Sequence, residues 1–311
     1  VATTLTGLGY VVTRLSGSDR YATAAAVAAK VKTSATIGSI DGKVTCILVS
    51  GQGYADGLAA GPLAAGHKMP VLLTEPGSLT AATKTALGVG SLNIKQVIIV
   101  GGTSAVSSAV EAEILATQVT SVIRVGRTNR QDTAKKMAEK LTSSVASGGW
   151  AWAKAKATIV TSNNFADALA SAQFNGTNNS VLLYTADSVP TETNAYVSEK
   201  TVKAALTNVY AIGGTSAVSA TVLQAVDDAG TYAKATPTIT AAEGGNTIVV
   251  TFPDFMTSAD MVLSNVKINN AAIDNTQTTA LNGAFATENA NGTITLHVAA
   301  HTLEVGNLIG V

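Results

Sequence analysis

Val97-Ile-Ile-Val-Gly-Gly-Thr-Ser-Ala-Val-Ser107 is a short apolar run ending in a glycine turn, and its last seven residues return unchanged as Gly213-Gly-Thr-Ser-Ala-Val-Ser219. Working outward, Val71-Leu-Leu-Thr74 lines up with Val181-Leu-Leu-Tyr184, and Tyr54-Ala-Asp56-Gly-Leu58 with Phe165-Ala-Asp167-Ala-Leu169. Further upstream, Arg14-Leu-Ser-Gly-Ser-Asp-Arg20-Tyr-Ala-Thr23 lines up with Arg124-Val-Gly-Arg-Thr-Asn-Arg130-Gln-Asp-Thr133. Four blocks in one order, offset by 110 to 112 residues, are an internal duplication. Within each copy, strand-sized apolar runs alternate with Ala-rich amphipathic stretches. In the first copy this predicts strands near 10–15, 46–50, 70–74 and 96–100, with helices near 19–32, 55–66, 78–88 and 107–117. Strands buried on both faces and separated by helices imply mainly parallel sheets with right-handed crossovers, hence a doubly wound α/β module in duplicate.

After Thr231 the pattern changes. Thr236–Thr240, Asn246–Phe252, Val262–Asn269 and Thr293–Val298 alternate with Asn/Gly turns, which reads as an all-β module, sandwich-like and open to being cut short at Val311. The expected organisation is residues 1–120 as one α/β repeat, 121–233 as the second, and 234–311 as the β module.

Bulk properties bound the function. The 311 residues are 46% hydrophobic, 5% aromatic and 13% charged, a composition suited to small-residue helices packed on sheets. No apolar run approaches the roughly 18–20 residues of a membrane span. The chain starts at Val1, so it reads as a processed protein or a piece of a longer one. The single Cys46 excludes an internal disulfide and any cysteine-based metal site. Net charge is zero overall but uneven: residues 1–235 hold 19 Lys and Arg against 14 Asp and Glu, whereas 236–311 hold Lys267 against six acids. That asymmetry marks modules with different partners.

All five arginines, Arg14, Arg20, Arg124, Arg127 and Arg130, fall in the two equivalent opening segments. The planar guanidinium fork grips carboxylate or phosphate with two parallel bonds, so this restriction points to an anion being held. The anion is either an external ligand or a carboxylate of the same module, such as Asp56 or Asp167. These two acids lie near helix starts, where free amides favour them, or else at a polar site beyond the carboxyl ends of the strands. Tyr54 and Phe165 are placed to stack on a sugar or to pack. The Gly-Gly-Thr-Ser turns supply helix caps, and neither copy has a nucleotide-binding glycine pattern, so no cofactor is expected. No nucleophile elbow or zinc pattern accompanies His67, His297 and His301, so neither catalysis nor metal binding is expected. Nucleic acid is disfavoured as a partner because the front module lacks a basic run with aromatics.

Arg-x-x-Gly-x-x-Arg-Tyr-x-Thr-Ala, then Tyr/Phe-Ala-Asp-x-Leu-Ala, Pro-Val-Leu-Leu-Thr and Val-x-Ile-Val-Gly-Gly-Thr-Ser-Ala-Val-Ser together resemble the bacterial cell-wall-binding repeat type 2 family, over about residues 10–230. The resemblance implies Rossmann-like or Toprim-like modules in surface-layer or wall-associated proteins of Gram-positive bacteria. It also implies an extracellular location in the cell wall or surface layer, and non-covalent attachment to an anionic secondary wall polysaccharide. The ligand-binding residues it implies, together with the arginine reading, are Arg14, Arg20, Tyr21, Asp56, Arg124, Arg127, Arg130 and Asp167. The second copy departs from the pattern: Gly17 becomes Arg127, Asp19 becomes Asn129 and Tyr21 becomes Gln131. Family proteins often carry three repeats about a pseudo-threefold axis, and two appear here. A third therefore lies elsewhere, or the pair works alone, or it works through self-association or with other surface-layer subunits. Residues 246–270 faintly resemble bacterial immunoglobulin-like domains. The competing functions are a self-assembly platform without polymer affinity, and an enzyme acting on wall material with Asp56 and Asp167 as acids.

Overall fold

The computed structural model describes residues 1–230 and, in the tail, only the strands given below. The chain divides into two compact units, Val1–Gly230 and Thr231–Val311. A short helix α1 (Ala2–Gly7) opens the first unit. The first repeat then runs α2 (Arg20–Ser34), β1 (Ser39–Ile40), β2 (Lys43–Ser50), α3 (Ala55–Ala59), α4 (Gly61–His67) and β3 (Val71–Thr74). It continues with α5 (Ala81–Leu87), β4 (Gln96–Val100) and α6 (Ser108–Leu115). The second repeat holds β5 (Ser121–Val125), α7 (Arg130–Thr142), β6 (Lys156–Thr161), α8 (Ala166–Asn178) and β7 (Val181–Thr185). It ends with α9 (Thr191–Val197), α10 (Lys200–Ala205), β8 (Asn208–Ile212) and α11 (Ala220–Gly230).

The α/β expectation holds, with one correction. The first sheet is parallel in the order β3-β2-β4-β5, with β1 hairpinned onto the start of β2. Its fourth strand therefore comes from the segment that the duplication assigns to the second repeat: Val97 faces Val122 and Ile99 faces Arg124. The strand expected at 10–15 does not form. Residues 10–17 are neither strand nor helix and are exposed, because the edge of β4 is already taken by β5. The second sheet, β7-β6-β8, has three strands.

Side-chain alternation explains the continuous apolar runs. In β2, Cys46 and Leu48 enter a core with Leu72, Val97 and Ile99, whereas Ile47 and Val49 enter another that continues through Leu63 and Met69 to Ile159, Leu183, Met137 and Tyr196 of the second repeat. The second core therefore joins the repeats into one unit. The helix expected over 55–66 is broken into α3 and α4 at Ala60, just before Pro62, whose ring removes an amide donor. Its counterpart α8 has no proline and runs unbroken.

Small residues let the repeats approach. A Cβ on Gly176 of α8 would stand 2.5 Å from the Gly66 amide of α4, and one on Gly61 would stand 3.0 Å from Ala172. At the end of this contact His67 stacks on Trp152 with ring centroids 6.0 Å apart, and its Nε2 accepts the indole N–H at 3.1 Å. Burial holds the His67 pKa below its usual 6.5. The folded state thus resists protonation of His67, and stability present above pH 6.5 is lost as pH falls from the unfolded-state value through the lower folded-state one. The melting temperature is expected to drop as pH falls from neutral through that range. His67→Gln, which keeps an acceptor for Trp152, should flatten that part of the profile. An unchanged profile in the variant would remove His67 as the cause.

The tail strands are β9 (Thr238–Ala241), β10 (Thr247–Thr251), β11 (Lys267–Ile268), β12 (Ala271–Ala272), β13 (Ala286–Glu288), β14 (Thr293–His297) and β15 (Ile309–Gly310). They pair antiparallel as β13-β14-β10-β9 and β12-β11-β15. Residues 252–266, which include part of the third strand expected from sequence, lie outside the described residues, as does His301.

Candidate functional site

The carboxyl ends of β2 and β4 point their following loops toward the start of α7, and a cleft of about 360 Å³ opens between them. From the first repeat come Gln52–Asp56 and the Gly102–Ala105 turn, and from the second come Arg127–Arg130 and Thr133. The site is therefore made where two repeats meet. Two glycine turns cross at its floor: Gly126, at φ +140°, lies so close that a Cβ would come within 2.8 Å of the Gly101 backbone. A Cβ on Gly102 would meet the Arg127 carbonyl at 2.1 Å. A side chain at Gly126 would meet both a disfavoured conformation and the neighbouring turn, so glycine is required there.

Asp56 and Asp167 both sit in the first turn of a helix, as expected, but neither caps it. Asp56 turns to the Gly101 turn and accepts a hydrogen bond from the Thr133 hydroxyl of the other repeat. Burial raises its pKa, against the opposing pull of that bond and of the Arg130 charge. Asp167 lies in the same relation to Gly213, where a Cβ would stand 2.6 Å from its carboxylate. The caps come from elsewhere: Asp19 accepts from the Ala22 amide at 2.7 Å and Asn129 from the Asp132 amide at 2.7 Å, so Asp19→Asn129 is a conservative change in this role. Ser107, rather than the Gly-Gly-Thr-Ser residues, caps α6.

The arginines divide into two groups. Arg124 is tied down internally, donating to Glu111 at 2.8 Å and to the carbonyls of Val106 at 2.8 Å and Gly101 at 3.3 Å. Its carboxylate partner is neither Asp56 nor Asp167, and it belongs to the other repeat. Arg130 donates to the Ser162 carbonyl at 2.7 Å and lies 5.6 Å from the centre of the Tyr54 ring, which in turn packs on Phe165 at 5.7 Å. Arg20 does the same job in the first repeat, donating to the Gly51 carbonyl. Tyr21 donates to Glu75, and Gln52 bridges both. The Glu75 contact raises the Tyr21 pKa, so the phenol stays a donor. Arg14 and Arg127 are exposed, and neither has a hydrogen-bond or ion-pair partner among the described residues. Of the expected site residues, the structure brings together Asp56, Arg127 and Arg130, with Arg124 fastened beneath them. Arg20 and Tyr21, Asp167, and Arg14 lie in three other places.

A second cleft, of about 910 Å³, lies on the other side of the Gln52–Tyr54 loop. It is the larger, but its walls are mainly Val, Leu, Ala and Gly from β2, β3, α3, α4 and α8, and its one cation, Arg20, is bound to a carbonyl. Sequence reasoning did not single out Glu111, Glu75 or Thr133, which act through contacts remote in the chain. The signal available was the duplication itself, since Thr133 repeats Thr23.

Two segments, 14–111 and 124–223, match the model of cell wall binding domain 2, once for each repeat. The chain belongs to this family. It is 32% identical over 212 residues to the N-acetylmuramoyl-L-alanine amidase LytC of Bacillus subtilis, covering 68% of this chain and 38% of LytC. It is 31% identical over 222 residues to the amidase enhancer of the same organism, covering 70% of this chain and 26% of that protein. The chain thus spans well under half the length of these relatives. Among solved structures, Cwp6 of Clostridium difficile is similar with a TM-score of 0.57 and 25% identity over 70% of this chain and 32% of that one. Cwp8 of the same organism gives 0.54 and 25% over 73% and 36%. Among the described residues, no helix is long and apolar enough to cross a membrane.

Proposed function

We propose that the two repeats of this cell wall binding domain 2 chain hold an anionic secondary wall polymer and so anchor a surface-layer or wall-associated protein outside the cell. The cleft between the repeats is the contact. One observation carries the reading: Arg127 is a cation without an internal partner among the described residues, lining a cleft whose other arginine, Arg130, is already fixed to the Ser162 carbonyl. A free guanidinium beside the Gly102–Ala105 turn and the exposed Tyr54 ring offers a charge, backbone amides and a stacking face to a phosphorylated or carboxylated sugar. Asp56 is engaged by Thr133, and His67 is paired with Trp152 rather than with a carboxylate. Binding rather than turnover fits these groups. In the same proposal each repeat is a Rossmann-like module, and the antiparallel tail is an immunoglobulin-like spacer.

The test is co-sedimentation with Gram-positive wall sacculi, before and after acid removal of their secondary polymers, across a salt series. Binding should vanish on stripping. It should also weaken as the Debye length shrinks from about 8 Å at physiological salt to about 3 Å at 1 M. Equal binding to stripped walls would mean that the polymer is not the ligand.

A further inference from the structure

The internal junction provides a template for what each end of the first unit lacks. At that junction β5 lies on the edge of β4, the Arg124 fork reaches the Gly101 and Val106 carbonyls, and Gly101 donates to the Val125 carbonyl at 2.8 Å. Helix α7 packs on α3, where Leu58, 9% exposed, shares a cluster with Ala134, while Met137, 1% exposed, enters the core shared by the two repeats.

Each half of this junction recurs unpaired. By the duplication, β8 is the counterpart of β4, and among the described residues it has one strand neighbour, β6. Its glycine turn, Gly213–Gly214, is exposed where Gly101–Gly102 is buried. Leu169, the counterpart of Leu58, is 58% exposed. At the other end, residues 11–15 are the counterpart of β5, and Val11 is 95% exposed. Val27, standing where Met137 stands, is 43% exposed. An open sheet edge, a displayed strand-forming segment and two matching apolar helix faces are what remains when the same junction is left unmade at both ends.

We propose that a second copy of this chain makes that junction: residues 11–15 of one copy add as a parallel strand to β8 of the next. The register follows from that of β4 with β5, setting Val12 opposite Val209, Thr13 opposite Tyr210, and Arg14 opposite Ala211. Arg14 then donates to the Gly213 and Val218 carbonyls as Arg124 does to those of Gly101 and Val106. Ala24 of one copy packs by Leu169 of the other as Ala134 does by Leu58, and Thr23 comes to Asp167 as Thr133 does to Asp56. The glycine after the strand is Gly17 rather than residue 16, so the correspondence covers the strand and the helix but not the loop between them. The surface is heterologous, each copy offering one donor and one acceptor end, so the assembly closes as a ring or grows head to tail. Strand addition supplies backbone hydrogen bonds, and the alternating side chains fix the register. This inference does not depend on the polymer reading, and its test contains no wall material.

The full chain is examined by sedimentation velocity over a range of concentrations, alone and as Val12→Asp/Leu15→Asp. These positions make no core contact, so the variant should keep the circular dichroism and melting temperature of the parent. The parent is expected to associate, and the variant to remain monomeric at the same concentrations. A second measurement fixes the register: Val12→Cys/Val209→Cys, under mild oxidation, is expected to give covalent species of two or more chains, and Val12→Cys/Tyr210→Cys none. Buried Cys46 stays out of the reaction. A parent that is monomeric throughout, a cross-link formed within one chain, or an associating double-aspartate variant would each overturn the proposal.

Discussion

Gly176→Val is expected to lower the melting temperature of the two-repeat unit by roughly 6–12 °C. At Gly176 the helices α8 and α4 touch backbone to backbone: an added Cβ would lie 2.5 Å from the Gly66 amide nitrogen, 2.7 Å from the Ala65 Cβ and 2.9 Å from its carbonyl carbon. None of these atoms belongs to a flexible side chain, so rotamer changes cannot relieve the collision and the helices must part. Overpacking of this kind costs about 3 kcal/mol at the upper end of its usual range, which for a unit of this size corresponds to that shift. Parting the helices also loosens the Gly61–Ala172 approach and the His67–Trp152 pair at the same junction. Glycine inside a helix is itself unfavourable by about 0.5–1 kcal/mol relative to alanine, so if there were room, Gly176→Ala would stabilise. It should destabilise instead, while Gly90→Ala, where nothing lies within 4 Å, changes little. Calorimetry of the three variants decides the matter. A Gly176→Val chain that melts like the parent would mean that the repeats do not pack through this contact.

The duplication was legible because identical local problems recur: each copy needs a glycine turn after a buried strand, a polar N-cap, and an acid to lie against that turn. The α/β alternation followed from apolar runs of strand length. What sequence reasoning missed has a common cause in the exchange of strands between repeats. A parallel strand is specified by apolar character alone, and nothing in Val122-Ile-Arg-Val125 or Val11-Val-Thr-Arg14 states which sheet edge is available. The first finds β4, and the second is left exposed. The same exchange places Glu111 against Arg124 and Thr133 against Asp56, pairs that cross the repeat boundary and so escape any argument made within one copy. A finer slip occurs in the Val-Leu-Leu triplets. Val71 faces Ile47, whereas Leu182 faces Thr158, the counterpart of Ile47, so Val71 corresponds in space to Leu182 rather than to Val181. A shift by one residue turns every side chain to the opposite face of the sheet. Thr74 and Thr185 become the true equivalents, each ending its strand.

Sorting the arginines by their partners separates folding from binding. Arg124 serves two carbonyls and Glu111 across the junction, so its loss is a loss of stability. Arg127 serves nothing in the described part of the chain, and its substitution should leave the melting temperature within about 1 °C, as for a surface position away from such features. Wall affinity, by contrast, should respond strongly to Arg127→Glu. Reversal replaces a fork that can hold an oxyanion in two parallel bonds with a like charge at the cleft mouth, beside Asp56. A loss of tenfold or more, about 1.4 kcal/mol, is the expected reading from sacculus binding at low salt, and the gap should narrow as salt rises. Arg127→Lys keeps the charge but loses the fork, and should fall between the two. Arg20→Ala supplies the comparison on the apolar cleft. If Arg127→Glu bound walls as the parent does while Arg20→Ala did not, the polymer contact would move to the cleft lined by α3, α4 and α8, and the free guanidinium at the junction would have no part in anchoring.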